Sequence, residues 1–322
     1  MTTTSTAAPN WQDAGIAILG YGHYYPPHRE ECAAQTTGEG VDPAVGTITV
    51  KSRHRSSATE TVADMALQAA RQAIRDAAVA PDEIDLLILT NWTERLYVPD
   101  LAPQVAAALG SRRGLAFDLC GACTGFVHGV QTAAAFLSSA GDWRTALVVS
   151  ADQFSRRVDP TRYGSVTLGD AAGAVVLRRG PASRSALLDS LLVSDGTRSG
   201  VVAVPAATGW IEVSPDLPRH AVPGQAGAAR LLLERNGLTI DDIDWVVPHP
   251  GTDAVHGPVR EAIGVEPGRF VTNFPDRGNT GSASIPVVLS EYLESGPFQR
   301  GDLVLALAVG SGWYSGGLLF RL

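Results

Sequence analysis

The chain has 322 residues, 45% hydrophobic and 18% charged, with a formal charge of −8 and a pI near 5.4. That length can bury a substantial core in one large or two average domains. The acidic balance argues against nucleic acid as a partner, and no apolar run approaches the roughly 18 residues of a membrane span.

Met1 to Asn10 is Thr/Ala-rich, without a basic start or an apolar core. It reads as a flexible tail over residues 1–15 rather than a signal peptide. Three cysteines without an export signal point to reduced thiols in a cytoplasm. Thr59–Ala78 places Val62, Met65, Ala66, Ala69, Ala73 and Ile74 at helical spacing, and Leu86–Leu89 follows as a strand. The apolar run Leu115, Phe117, Leu119 ends in Cys120-Gly121-Ala122-Cys123-Thr124-Gly125. A second helical face begins there, with Phe126, Val130, Ala133, Ala134 and Leu137. A thiol at a helix N-terminus feels the positive end of the macrodipole, so Cys123 is expected to favour the thiolate. The small neighbours leave room for a bulky substrate. Cys120 and Cys32 read as buried structural thiols, and His128 as a packed or surface residue.

Gly169–Gly173 has the look of a phosphate loop but lacks its lysine, so a tight sheet-packing turn is expected. The Arg pairs 112/113, 156/157 and 178/179 read as solvated charges, with one available to a phosphate. Gly180-Pro181-Ala182-Ser183 is a breaker-rich seam. Gly227–Asn236 again looks helical, and the strand Trp245-Val246-Val247 runs into Pro248-His249-Pro250-Gly251-Thr252-Asp253. His249 therefore stands at the C-terminal end of a strand, where open α/β sheets place ligands. It could pair with Asp253 if the segment turns helical. His256 lies seven residues on, but no third ligand has convincing spacing, and no metal is expected. Arg277-Gly278-Asn279-Thr280-Gly281 then opens an apolar helix over Ile285–Leu293. Cys, His and Asn each sit on a turn of small residues. A thiol needs a base or cation partner, and a fixed amide can donate to a developing oxyanion.

Helix, acidic turn and strand recur in order. Ile84-Asp85 before Leu86 and Ile243-Asp244 before Trp245 are 159 residues apart, and Arg144–Val149 echoes Gly301–Ala306 at nearly the same offset. Gly169–Leu177 and Gly310–Leu322 form a third echo. An internally duplicated α/β chain follows, with halves 16–180 and 181–322, the cysteine in the first and His249 and Asn279 in the second.

The Cys123 turn, Gly169-Asp170-Ala171-Ala172-Gly173-Ala174, Val247-Pro248-His249, Gly278-Asn279-Thr280 and Gly310-Ser311-Gly312 occur in one order over about residues 16–322. In this the chain resembles the ketoacyl synthase III enzymes of the thiolase superfamily. The resemblance implies a five-layer αβαβα fold from two duplicated halves, a homodimer, and a Cys123-His249-Asn279 site. It implies an acyl-Cys123 intermediate from a coenzyme A or acyl-carrier-protein thioester, no tightly bound cofactor, and decarboxylative condensation with a malonyl-type thioester. Backbone N–H groups of Cys123 and Ser311 would form the oxyanion hole, Ser311 standing where the family usually has glycine. Tyr97-Val98-Pro99 falls where relatives present a dimer-interface loop to the neighbour's acyl pocket, so Val98 is a substrate-contact candidate, as is Thr252. Three departures stand beside these matches. Gly38–Arg55 has no Trp to grip a nucleotide, its basic residues Lys51, Arg53 and Arg55 cluster late, and Thr252, Ala254 and Glu261 replace a usual amide and basic carrier-docking surface. They point to specialised, polyketide-type biosynthesis. An acyltransferase passing the group to a hydroxyl or amine is the main rival, and a non-catalytic chain-length partner a third reading.

Overall fold

The computed structural model describes residues 10–32, 42–96, 98–181 and 185–322. Part of the expected tail, the start of the Gly38–Arg55 segment, Tyr97, and Ala182 and Ser183 of the seam lie outside the described residues. From Asn10 the expected tail is docked: the Trp11 N–H donates to the Leu188 carbonyl and its indole Nε1 to Ser190 Oγ.

The first sheet is built from β1 (Ile16–Tyr24), β4 (Leu86–Thr90), β5 (Leu115–Leu119), β6 (Thr145–Gln153) and β7 (Asp170–Arg179), in the order β1-β7-β6-β4-β5. The ribbon β2 (His28–Glu31) and β3 (Ser52–Arg55) stands apart from it. The second sheet contains β8 (Ala186–Ser194), β11 (Trp245–Pro248), β12 (Leu303–Gly310) and β13 (Tyr314–Arg321), in the order β11-β12-β13-β8. Short β9 (Val202–Ala203) and β10 (Glu212–Val213) pair with each other. The two sheets share one grammar. β4 and β6 are parallel, and β6–β7 and β7–β1 antiparallel; β11 and β12 are parallel, and β12–β13 and β13–β8 antiparallel. Even the turns repeat. Asp85 Oδ2 accepts from Thr145 N and Asp244 Oδ2 from Leu303 N, so each acidic turn pins the start of the next parallel strand.

Helices fill three layers: α1 (Val62–Asp76) and α2 (Ala102–Leu109) outside the first sheet, α3 (Gly125–Ser139) and α7 (Ser284–Ser295) between the sheets, α4 (Leu217–Arg235) and α5 (Asp253–Ile263) outside the second. A short α6 (Phe274–Arg277) precedes Asn279. The apolar strands are buried on both faces, as parallel strands covered by helices must be. Leu86 and Ile88 of β4 pack into the central layer while Leu87 and Leu89 face α1 and α2. On β12, Val304, Ala306 and Ala308 face the centre, and Leu305 and Leu307 face α4. Period-two alternation thus sends side chains to two cores. This is the five-layer αβαβα arrangement.

Candidate active site

Three turns line one cavity, following β5, β11 and the short helix α6. The first follows β5: a 3-10 turn over Ala122–Thr124 leads into α3. Thr124 caps it, its N–H and Oγ1 both donating to the Gly121 carbonyl. α3 opens with glycine because it lies close to its neighbours: a Cβ on Gly125 would stand 2.9 Å from Ser282 Cβ and 3.0 Å from Thr90 Cβ. The expected apolar face of α3 (Phe126, Val130, Ala133, Ala134, Leu137) is 0–1% exposed. This packing sets Cys123 at the floor of a cavity.

His249 follows β11, its N–H donating to the Leu307 carbonyl at 2.7 Å while its own carbonyl accepts from Gln225 Nε2. The ring is buried, and among the described residues its Nδ1 has no hydrogen-bond partner. Burial lowers its pKa to about 3, helped by nearby His256 and opposed by the Gly281 backbone, so the imidazole is neutral. The possible pair with Asp253 does not form: that carboxylate, at the head of α5, accepts from the Thr49 N–H and hydroxyl.

Asn279 is 5% exposed and held at both ends of its amide. Nδ2 donates to the Gly251 carbonyl at 2.8 Å, and Oδ1 accepts from Gly281 N at 2.9 Å. One Nδ2 hydrogen is left over in a fixed direction. Its backbone N–H donates to the Thr167 carbonyl, so the segment before β7 supports this turn too.

Cys123, His249 and Asn279 border one cavity of about 420 Å³, with Trp92, Phe154 and Trp313 among its apolar walls. Gly310 and Ser311 border it as well. A Cβ on Gly310 would lie 3.1 Å from Cys123 N, so the 310–312 turn passes beside the Cys123 N–H. Ser311 Oγ is engaged with the Val202 carbonyl. Thr252 lines the cavity and donates to the Ala44 carbonyl. Val98 does not line it; it is 86% exposed, away from its own chain's site.

The thiol departs from expectation. Burial raises its pKa well above the ordinary value, and the negative charge of Asp152 adds to this. Desolvation and a like charge outweigh the helix end. Cys123 is therefore a protonated thiol and His249 a neutral imidazole on the same cavity.

Asp152 was not singled out from the sequence. It lies at the end of β6, fully buried, accepting from Ser282 N and Oγ at 2.8 and 2.7 Å and from Trp92 N and Thr93 Oγ1. It joins the strand bundle of the first sheet to the turn after Asn279. Burial raises its carboxyl to about 6 against the hydrogen bonds from Ser282 and Trp92. A charge closing the apolar run Val148-Val149-Ser150-Ala151 was the available signal.

Other expectations sort simply. Cys120 is exposed and borders the cavity, not buried, because β5 has ended before it; Cys32 is half-buried, its thiol against the Val166 carbonyl. Gly169 packs on the Arg277 carbonyl, but the expected turn does not form: Asp170–Gly173 open β7, paired with β6 and, at Ala172 and Gly173, with β1. Arg156 and Arg157 donate to the backbone carbonyls of the 57–60 and Thr93 segments, and Arg179 to Gly141. Arg178 pairs with Glu83. Arg53 is 6% exposed and grips Glu30 and the Ser165 carbonyl. Among the described residues no His, Cys, Asp and Glu group converges as a metal site, and no helix is long and apolar enough to cross a membrane.

Comparison with known proteins decides the family. The model described as 3-oxoacyl-[acyl-carrier-protein] synthase III matches residues 117–196, and the one for its C-terminal region matches 233–322. A beta-ketoacyl-[acyl-carrier-protein] synthase III of Cereibacter sphaeroides is 36% identical over 320 residues, covering 94% of this chain and 98% of the relative. The chain belongs to the ketoacyl synthase III family. A family member from Rhodospirillum centenum is 37% identical with the same coverage. The crystal structure of 3-oxoacyl-[acyl-carrier-protein] synthase III from Aquifex aeolicus superposes with a TM-score of 0.87 at 31% identity, over 96% of this chain and 100% of that one. A priming β-ketosynthase from a polyketide biosynthetic pathway gives 0.85 at 28% identity, over 95% and 96%. These ketoacyl synthase III relatives have the thiolase fold seen here in the paired sheets.

Proposed function

We propose that the chain forms an acyl-Cys123 intermediate and condenses it with a malonyl-type thioester, with loss of carbon dioxide. The observation that carries this reading is the meeting of Cys123, a neutral His249 and a doubly held Asn279 amide around one cavity. In the first half-reaction Cys123 Sγ attacks the donor thioester carbonyl. The thiol proton passes through His249 to the departing thiolate, and the N–H groups of Cys123 and Ser311 receive the oxyanion. In the second, the malonyl carboxylate leaves as carbon dioxide and its electron pair forms an enolate. His249 and the spare Nδ2 hydrogen of Asn279 donate to the enolate oxygen. Its carbon attacks the acyl carbonyl, and Sγ departs. A neutral imidazole suits both roles, accepting a proton first and donating a hydrogen bond later.

The acyl donor is a coenzyme A or acyl-carrier-protein thioester, with no tightly bound cofactor, and the active species is a cytoplasmic homodimer. Thr252 orients the acceptor, and Val98 reaches the partner's cavity. Ala254 and exposed Glu261 on α5, where a basic docking surface is usual, favour specialised polyketide-type biosynthesis over general fatty-acid initiation. The same residues favour a second reading, transfer of the acyl group to a hydroxyl or amine, with His249 as base.

Intact-mass measurement after incubation with acyl thioesters should show one adduct, absent in Cys123→Ala. Malonyl thioester should then discharge it with release of carbon dioxide. No adduct from any donor would overturn both readings; discharge only by alcohols or amines would overturn condensation.

A further inference from the structure

Cys120 and Cys123 are separated by Gly121 and Ala122 at the corner where β5 passes into α3, and both border the catalytic cavity. Both are free thiols. Cys-x-x-Cys at the head of a helix is the spacing with which disulfide oxidoreductases open and close a bond. The intervening backbone is folded tightly: Ala122 has φ of 44°, and Thr124 N donates to the Gly121 carbonyl at 3.0 Å. Gly121 is needed for close packing here: a Cβ on it would stand 2.8 Å from His128 Nδ1 and 2.9 Å from Gly125 Cα. Cys120 packs into none of the hydrophobic clusters, so a role in the core does not account for it.

We propose that Cys120 and Cys123 form a redox pair, closing to a disulfide under peroxide and reopening under a dithiol. The chemistry balances with hydrogen peroxide as oxidant. Exposed Cys120 attacks the peroxide, giving a sulfenic acid and one water. Cys123 Sγ then attacks the Cys120 sulfur and displaces hydroxide, which takes the Cys123 proton by way of neutral His249 and leaves as a second water. Two thiols lose two electrons and two protons; the peroxide gains them. The bond sequesters Cys123 in a form that reduction restores. Disulfide formation itself is independent of the acyl acceptor; only its consequence, reversible arrest, rests on the acyl-Cys123 reading.

The test treats the reduced full-length protein with hydrogen peroxide, alkylates it, and maps the peptide Gly114–Arg144, which holds both cysteines. The expected product is this peptide about 2 Da lighter and unalkylated, with Cys32 still alkylated. Dithiothreitol should reverse it, and acyl-adduct formation should vanish and return in step. Cys120→Ser and Cys123→Ser should each abolish the mass loss. Overturning results are full alkylation of both thiols after peroxide, or a disulfide joining two chains. A disulfide without arrest would leave the pair standing and count against the acyl-Cys123 reading.

Discussion

Asp152 places a carboxylate where water does not reach, and four donors from two turns converge on it. Its pKa is raised from 3.8 to about 6. The folded protein therefore holds this proton more tightly than the unfolded chain does. Stability from this group is present below the unfolded value and is lost as pH rises toward 6, the reverse of a salt-bridged aspartate. Each unit of separation is about 1.4 kcal/mol. Asp152→Asn has no such slope, but it turns an amide NH₂ toward N–H and O–H donors, which costs roughly 1–3 kcal/mol. Urea denaturation should find the variant less stable than wild type, with a deficit largest near pH 4 and narrowing by pH 7. Equal deficits at both pH values would show that the carboxyl titrates as in the unfolded chain. At this scale Cys123, His249 and Asn279 were legible as candidates because each sits on a turn of small residues next to a regular element. Asp152 was not, because its partners Trp92, Thr93 and Ser282 lie 60, 59 and 130 residues away, and no local pattern joins them.

The turn over 310–312 is an element whose place depends on a missing side chain. A Cβ on Gly310 would meet Thr124 N at 3.0 Å and Cys123 N at 3.1 Å, closer than such contacts normally fall. Gly310→Ala should push the turn off the Cys123 N–H and remove an oxyanion donor, lowering the acylation rate by roughly 100-fold. Its melting temperature should change little, since Gly310 ends a strand at the cavity rim. Stopped-flow acylation beside thermal melting checks this. An unchanged rate would place the oxyanion elsewhere. Elements were legible where amphipathic spacing was clean, as in α1, although it runs Val62–Asp76 rather than Thr59–Ala78, its start set by a capping box of Thr61 and Asp64. They were obscured where tertiary contact overrides propensity. α4 begins at Leu217, ten residues before the expected Gly227, because the helix continues through Pro223. Gly224 there brings the helix onto Ser315, where a Cβ would lie 2.7 Å from Oγ. α5 contains Gly257 and Pro258, breakers in a local reading, yet Val255 and Val259 are fully buried beneath it.

The two halves differ at one edge of the molecule, and that difference bears on assembly. The first sheet ends in β5, which pairs only with β4 among the described residues; its counterpart beside β11 is reduced to a single bridge, Val246 to Phe270. β5 presents Leu115, 44% exposed, and a half-buried Phe117 over Phe136. An apolar, uncovered edge strand pairs with another strand unless charge or a bulge blunts it, and a two-fold axis beside β5 joins two such edges antiparallel. The homodimer proposed above would use this edge. It also accounts for Val98, which is 86% exposed on its own chain and one residue before Pro99 on the segment leading to α2 and β5. Leu115→Lys puts a charge at the start of that edge without disturbing a buried side chain. Light scattering should give a dimer for wild type and a shift toward monomer for the variant, with slower acyl-adduct formation as Val98 leaves the partner's cavity. Dilution of wild type should slow acylation in the same way. A wild-type monomer, or a Leu115→Lys dimer of undiminished stability, would remove β5 as the interface. Loss of the dimer with acylation intact would separate assembly from catalysis and return Val98 to a role on the surface.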